Sequence, residues 1–204
     1  KQGQSYNDPD FVKAANCIKE LVDMGAFIDG ATGLSNDEAS ASFYAEQVPM
    51  YFTGSWMGGS IVTDAEKPDN FAVAPIPVVN SKNASVTDFM GGGSDTLMVS
   101  ANTKNKDLAA AAAFEITRGV SKHAYLSGAG IPAWTVDYDA SSVPALTQQV
   151  ADIAGKATSY TLWFDTLMSS DDAGEYLTLL QSLFAGDLKP EEFAASMDKQ
   201  LSKK

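Results

Sequence analysis

Val48-Pro49-Met50-Tyr51-Phe52-Thr53-Gly54-Ser55-Trp56 is the stretch on which the fold assignment turns, because the sequence changes period there. Upstream, apolar residues return every three or four positions. Here a compact run of β-favouring residues is cut off by a glycine, which reads as a short strand over 48–53 closing at Gly54. Gly54 has no Cβ, so it suits a tight turn or a close approach by another group. Ser55 offers a hydroxyl and an amide, and Trp56 a flat apolar ring with one donor. An indole at such a turn serves either as a core anchor beneath it or as a wall for a ligand.

Outward from this stretch, the neighbouring segments are helical. Asp8-Pro9 opens a helix that carries Phe11, Ala14, Ala15, Ile18, Leu21 and Val22 at helical spacing and stops at Gly25. Ser35 and Glu38 have capping-box spacing, with a second helix to about Glu46. Downstream, 71–74 reads as a strand running into Pro75-Ile76-Pro77, and 96–99 as another behind Gly91-Gly92-Gly93. The polar stretch 80–88 and the segment 128–132 read as linkers or crossings. Helices are expected over 106–118, 122–126, 143–154 and 171–185, with a last one opening at Pro190-Glu191-Glu192 and burying Phe193, Met197 and Leu201. Strands separated by helices, followed by a helical tail, give an α/β class. No internal repeat is visible.

Composition narrows the function by exclusion. The 204 residues are 45% apolar and 20% charged, in the globular range. A net charge of −12, with 14 scattered Lys and Arg, makes nucleic acid a poor partner. No apolar run approaches the ~18 residues of a membrane span. Lys1 to Asp10 lacks the apolar core of a secretory signal. Cys17 is the single cysteine and His123 the single histidine, which removes internal disulfides, cysteine-based zinc sites and most histidine-centred catalysis. Cys17 reads as a packing residue and His123 as an exposed one. No cofactor and no metal are expected.

The ordered series of segments resembles the family 1 extracellular solute-binding proteins, the group that includes maltose-binding protein. Gly25-Ala26-Phe27 after the first helix, Glu38-Ala39 through Phe43, and then Met50 to Trp56 are similar to successive family segments. So are 71–77, the glycine run with Asn102 to Lys106, Ile131-Pro132-Ala133, Leu162-Trp163-Phe164-Asp165, and Leu183 to Glu192. Glu46-Gln47 and Pro49 depart from the family pattern at the turn before Gly54. The match covers nearly the whole chain but only the second half of a family member, so a C-terminal portion is expected.

This resemblance implies a class II periplasmic-binding-protein-like fold with two lobes and a hinge. Residues 1–77 and 133–204 would form the C-terminal lobe, and 78–132 would contribute to the N-terminal lobe, whose opening part is absent. It implies capture of a carbohydrate between the lobes and delivery to the permease subunits of an ABC importer, without chemistry on the ligand. An extracytoplasmic location follows, periplasmic or as a cell-surface lipoprotein, with the membrane reached only through an anchor outside these residues. A sugar ring has a C–H face and a hydroxyl rim, which suits Trp56 beside Gly54 and Ser55 as ligand contacts. Trp163 and Asp165 are further candidates, against packing between the last helices and turn capping respectively. Gly92, Gly93 and Ser94 could present backbone donors, against a flexible entry to a strand. Trp134 is a lesser candidate. The alternatives are a glycosidase, for which no carboxylate pair stands out, a carbohydrate-binding module without transport, and a non-sugar small solute.

Overall fold

The computed structural model describes residues 5–91 and 95–201. In chain order its helices are α1 (Pro9–Asp23), α2 (Asn36–Tyr44), α3 (Met57–Asp64), α4 (Lys106–Ser127), α5 (Ala145–Ala154), α6 (Ser170–Ala185) and α7 (Pro190–Leu201). Its strands are β1 (Asp88–Met90) and β2 (Ser159–Thr161). Contacts gather these elements into two compact units, one of residues up to Ala41 together with those from Leu162 onward, the other of Ser42 to Thr161.

The first unit is three packed helices. Asp8 accepts from the amide of Asp10 at the start of α1, and Gly25 takes positive φ just past its end. One face of α1 then buries Ala15 against Leu183 of α6 and Phe193 and Met197 of α7. The rings of Phe11 and Phe193 stack with centroids 5.6 Å apart. Gly186, with φ of +82°, ends α6 so that the chain can turn into α7. The Asp198 carboxylate on α7 accepts from the Ser5 hydroxyl (2.8 Å), the Tyr6 amide (2.7 Å) and the Asn7 side chain (3.0 Å). Those bonds hold its pKa below the usual carboxylate range, the Ser5 hydroxyl contributing most.

The second unit centres on α3 and α5. Met57, Ile61 and Ala65 meet Leu146, and Phe43, Tyr51, Phe71 and Val73 pack around them. Beside this core, β1 and β2 pair in parallel with Phe89 opposite Tyr160. The Gly91 amide extends the ladder to the Thr161 carbonyl at 2.9 Å. The Asp88 carboxylate accepts from the Ser159 hydroxyl (2.7 Å) and the Ser85 amide (2.6 Å), which lowers its pKa.

The helix expectations hold to within a few residues for α1, α2, α5, α6 and α7, and the α/β class stands. Four local expectations need correction. Residues 48–53, 71–74 and 96–99 join no ladder among the described residues. Tyr51, Phe71 and Val73 instead satisfy their apolar character by packing on the α3–α5 core. β1 begins at the end of the expected linker. The helices expected over 106–118 and 122–126 are one continuous α4 that runs through Gly119. Finally, α3 was not anticipated. None of the described helices is long and apolar enough to cross a membrane.

Candidate ligand-binding site

Gly54, Ser55 and Trp56 form the turn that enters α3, closed by the Met57 amide donating to the Gly54 carbonyl at 3.3 Å. The indole of Trp56 folds back over Gly54. A Cβ at Gly54 would fall 2.1 Å from Cζ3 and 2.4 Å from Cη2 of that ring. The missing side chain therefore makes room for the tryptophan itself, and Gly54 acts as the floor on which the indole lies. Trp56 as a residue remains 58% exposed, so it is not sealed in the core. Ser55 is half-buried beside it. A flat aromatic plate fixed on backbone, next to a hydroxyl and open to solvent, can stack against the apolar face of a sugar ring.

What holds that plate in place was not legible beforehand. Gly58 and Gly59 sit in the first turn of α3, where each costs about 1 kcal/mol of helix propensity relative to alanine. Both are buried, and at each a neighbouring group comes too close for a side chain. A Cβ on Gly58 would meet Thr147 Oγ1 at 2.3 Å, and one on Gly59 would meet the Ser127 carbonyl at 2.3 Å. The Gly59 amide donates to the Gly128 carbonyl at 2.9 Å, and Gly128 holds φ of +79°. Thr147 is fully buried against this junction. The signal available in the sequence was the paired glycine after Trp56, which reads as a breaker when taken alone.

The remaining candidates are dispersed. Trp163 and Asp165 belong to the first unit, whereas Gly54, Ser55 and Trp56 belong to the second. Trp163 lies two residues past the end of β2, is 38% exposed, and accepts at its carbonyl from the Thr166 hydroxyl (2.6 Å). Asp165 starts a short 3-10 turn, Asp165–Leu167, and its carboxylate accepts from the Thr166 amide at 2.9 Å. Next to them, Phe164 faces Phe11, Tyr6 and Tyr176. Gly92, Gly93 and Ser94 lie outside the described residues. Trp134 packs edge-on against Phe114 at 4.9 Å. His123 is exposed on α4 and Cys17 half-buried on α1. No group of three His, Cys, Asp or Glu among the described residues could hold a metal ion.

Comparison with known proteins agrees with this architecture. Residues 1–114 match the family of bacterial extracellular solute-binding proteins, and the chain belongs to that family. One solved structure similar to it is described under xylan utilization by the thermophilic bacterium Caldanaerobius polysaccharolyticus. It is 30% identical, with a TM-score of 0.86 over 97% of this chain and 52% of that one. Another is a chitin oligosaccharide binding protein, 22% identical, with a TM-score of 0.82 over 98% of this chain and 50% of that one. The chain thus spans about half the length of the solved structures it matches, and it shares their solute-binding fold. No curated protein matches it.

Proposed function

We propose that this chain is part of the extracytoplasmic binding component of an ABC importer, which captures a mono- or oligosaccharide and presents it to a membrane permease. The observation that carries the reading is the Trp56 indole laid on Gly54 with its ring open to solvent, within a chain of solute-binding fold. Trp56 supplies the stacking plate and Ser55 a polar contact to the hydroxyl rim. Trp163 and Asp165 are separate contributors, each to be tested by its own substitution. The ligand leaves as it arrived, with no bond made or broken.

Residues 1–77 and 133–204 are assigned to one lobe of the whole protein and 78–132 to the other, with ligand-driven closure about the crossings. The state of α4 supports such a division. None of its 22 residues is buried, and Leu108, Ile116 and Val120 are more than half exposed, an apolar surface suited to further polypeptide. The test is calorimetry against xylo-oligosaccharides, then other glycans, amino acids and polyamines. Trp56→Ala is expected to weaken sugar binding at least about tenfold, or about 1.4 kcal/mol. The reading fails if no glycan binds, or if Trp56→Ala lowers the unliganded melting temperature sharply while affinity per folded molecule stays unchanged.

A further inference from the structure

Away from Trp56, the segment 133–138 folds back along α4 and leaves a hollow of about 270 Å³. The Ala133 amide donates to the Ser121 hydroxyl at 3.1 Å, and Arg118 pairs with Asp137 at 2.6 Å, so the segment is tied to the helix at two points. Glu115, Arg118 and Lys122 recur at three- and four-residue spacing and therefore share one side of α4. All three line the hollow, with Trp134 and Tyr138 opposite. Trp134 is fixed by its edge contact with Phe114 and still 38% exposed.

The hydrogen-bonding inventory of this hollow is lopsided. Arg118 is matched by Asp137, but Lys122 has no carboxylate partner among the described residues; its ammonium lies 4.9 Å from the centroid of the Tyr138 ring. The Tyr138 hydroxyl is shielded from solvent and has no hydrogen-bond partner among the described residues. A shielded hydrogen-bonding group left unmatched is costly to folding. Burial, with Tyr125 and Asp137 adding to it, pushes that phenol's pKa upward, so it keeps its proton near neutral pH and remains a donor. Among the described residues the Lys122 ammonium thus lacks an anionic partner, while the Glu115 carboxylate on the same wall is an acceptor without an ion pair. The volume lies just below the range of about 300–1,000 Å³ for drug-sized ligands, enough for one ring and not for an oligomer.

We propose that this hollow is a second binding site, for a single sugar acid. The ring stacks on Trp134, the carboxylate meets the Lys122 ammonium, and a ring hydroxyl donates to Glu115. A neutral sugar would fill the same volume but leave the ammonium without its counter-charge, so the site should discriminate in favour of the acid.

Nuclear magnetic resonance titration of the 204-residue chain with glucuronate and, separately, glucose tests this. Glucuronate should give saturable shifts confined to residues 115–138 and bind at least about tenfold more tightly than glucose. Lys122→Gln should lose about tenfold for glucuronate and little for glucose, and Trp134→Ala should weaken both, with circular dichroism checking that each variant folds. Trp56→Ala should retain the glucuronate shifts, which separates this site from the one proposed above. Equal affinity for glucose, no saturable shift at residues 115–138, an unaffected Lys122→Gln, or loss of the shifts in Trp56→Ala would each overturn the proposal.

Discussion

Gly54→Ala places one methyl group where the Trp56 indole now lies. The new Cβ would sit 2.1 to 2.6 Å from three ring carbons, well inside van der Waals contact, so one of the two must yield. The backbone around Gly54 is held by the turn into α3, whereas Trp56 is more than half exposed and its ring free to swing outward. Swinging to an unfavourable rotamer costs about 0.5–1.5 kcal/mol. In a chain of this size, a loss of about 1 kcal/mol lowers the melting temperature by roughly 2–4 °C. Binding should suffer more than folding, because a displaced plate no longer meets the sugar face at the same angle. We expect at least about a tenfold loss of affinity, close to that of Trp56→Ala. Calorimetry for affinity and differential scanning for stability, run on the same preparations, give both numbers. Native affinity in Gly54→Ala would refute the idea that the backbone aims the indole.

Gly59→Ala is a contrasting perturbation, since its Cβ meets a backbone carbonyl and not a mobile ring; about 1–3 kcal/mol of stability should go, read by urea unfolding. Leu183→Ala empties the fully buried centre of the first unit and should cost about 2–5 kcal/mol in the same assay. The lowered pKa of Asp198 means that its contribution is complete above the ordinary carboxylate value of about 3.9 and is lost as pH falls through the folded value. The melting temperature of Asp198→Ala should therefore lie below native at neutral pH and converge with it in strong acid. A gap that does not narrow at all as the pH is lowered into strong acid would exclude this account.

Helix ends were legible where side-chain chemistry is local. Asp8, Ser35 and Gly186 each act on amides or carbonyls within a turn of themselves, so spacing alone locates them, whereas the Ser169 cap of α6 was not singled out. Strands were less legible because a ladder belongs to two segments. Tyr51 and Phe71 have β-favouring neighbours yet spend their apolar surface on α3 and α5, while the brief β1 follows a polar, breaker-rich run. The Gly54-Ser55-Trp56 turn could be singled out, but not that the glycine serves the tryptophan. The glycines of α3 were missed for a related reason: the groups that demand them, Ser127, Gly128 and Thr147, lie far along the chain.

The parallel pairing of β1 with β2 also sets an order of events during synthesis. Asp88 and Ser159 are 71 positions apart, and a parallel pair cannot close as a hairpin. At about 5–20 residues per second, roughly 4 to 14 seconds separate the emergence of the first strand from that of its partner. During that interval the pairing of Phe89 and Met90 with β2 cannot form, while α4 and α5, whose hydrogen bonds are local, can. Beside its α3–α5 core the second unit thus carries a strand that must wait for β2, and the β1–β2 ladder locks only after α5 has been made.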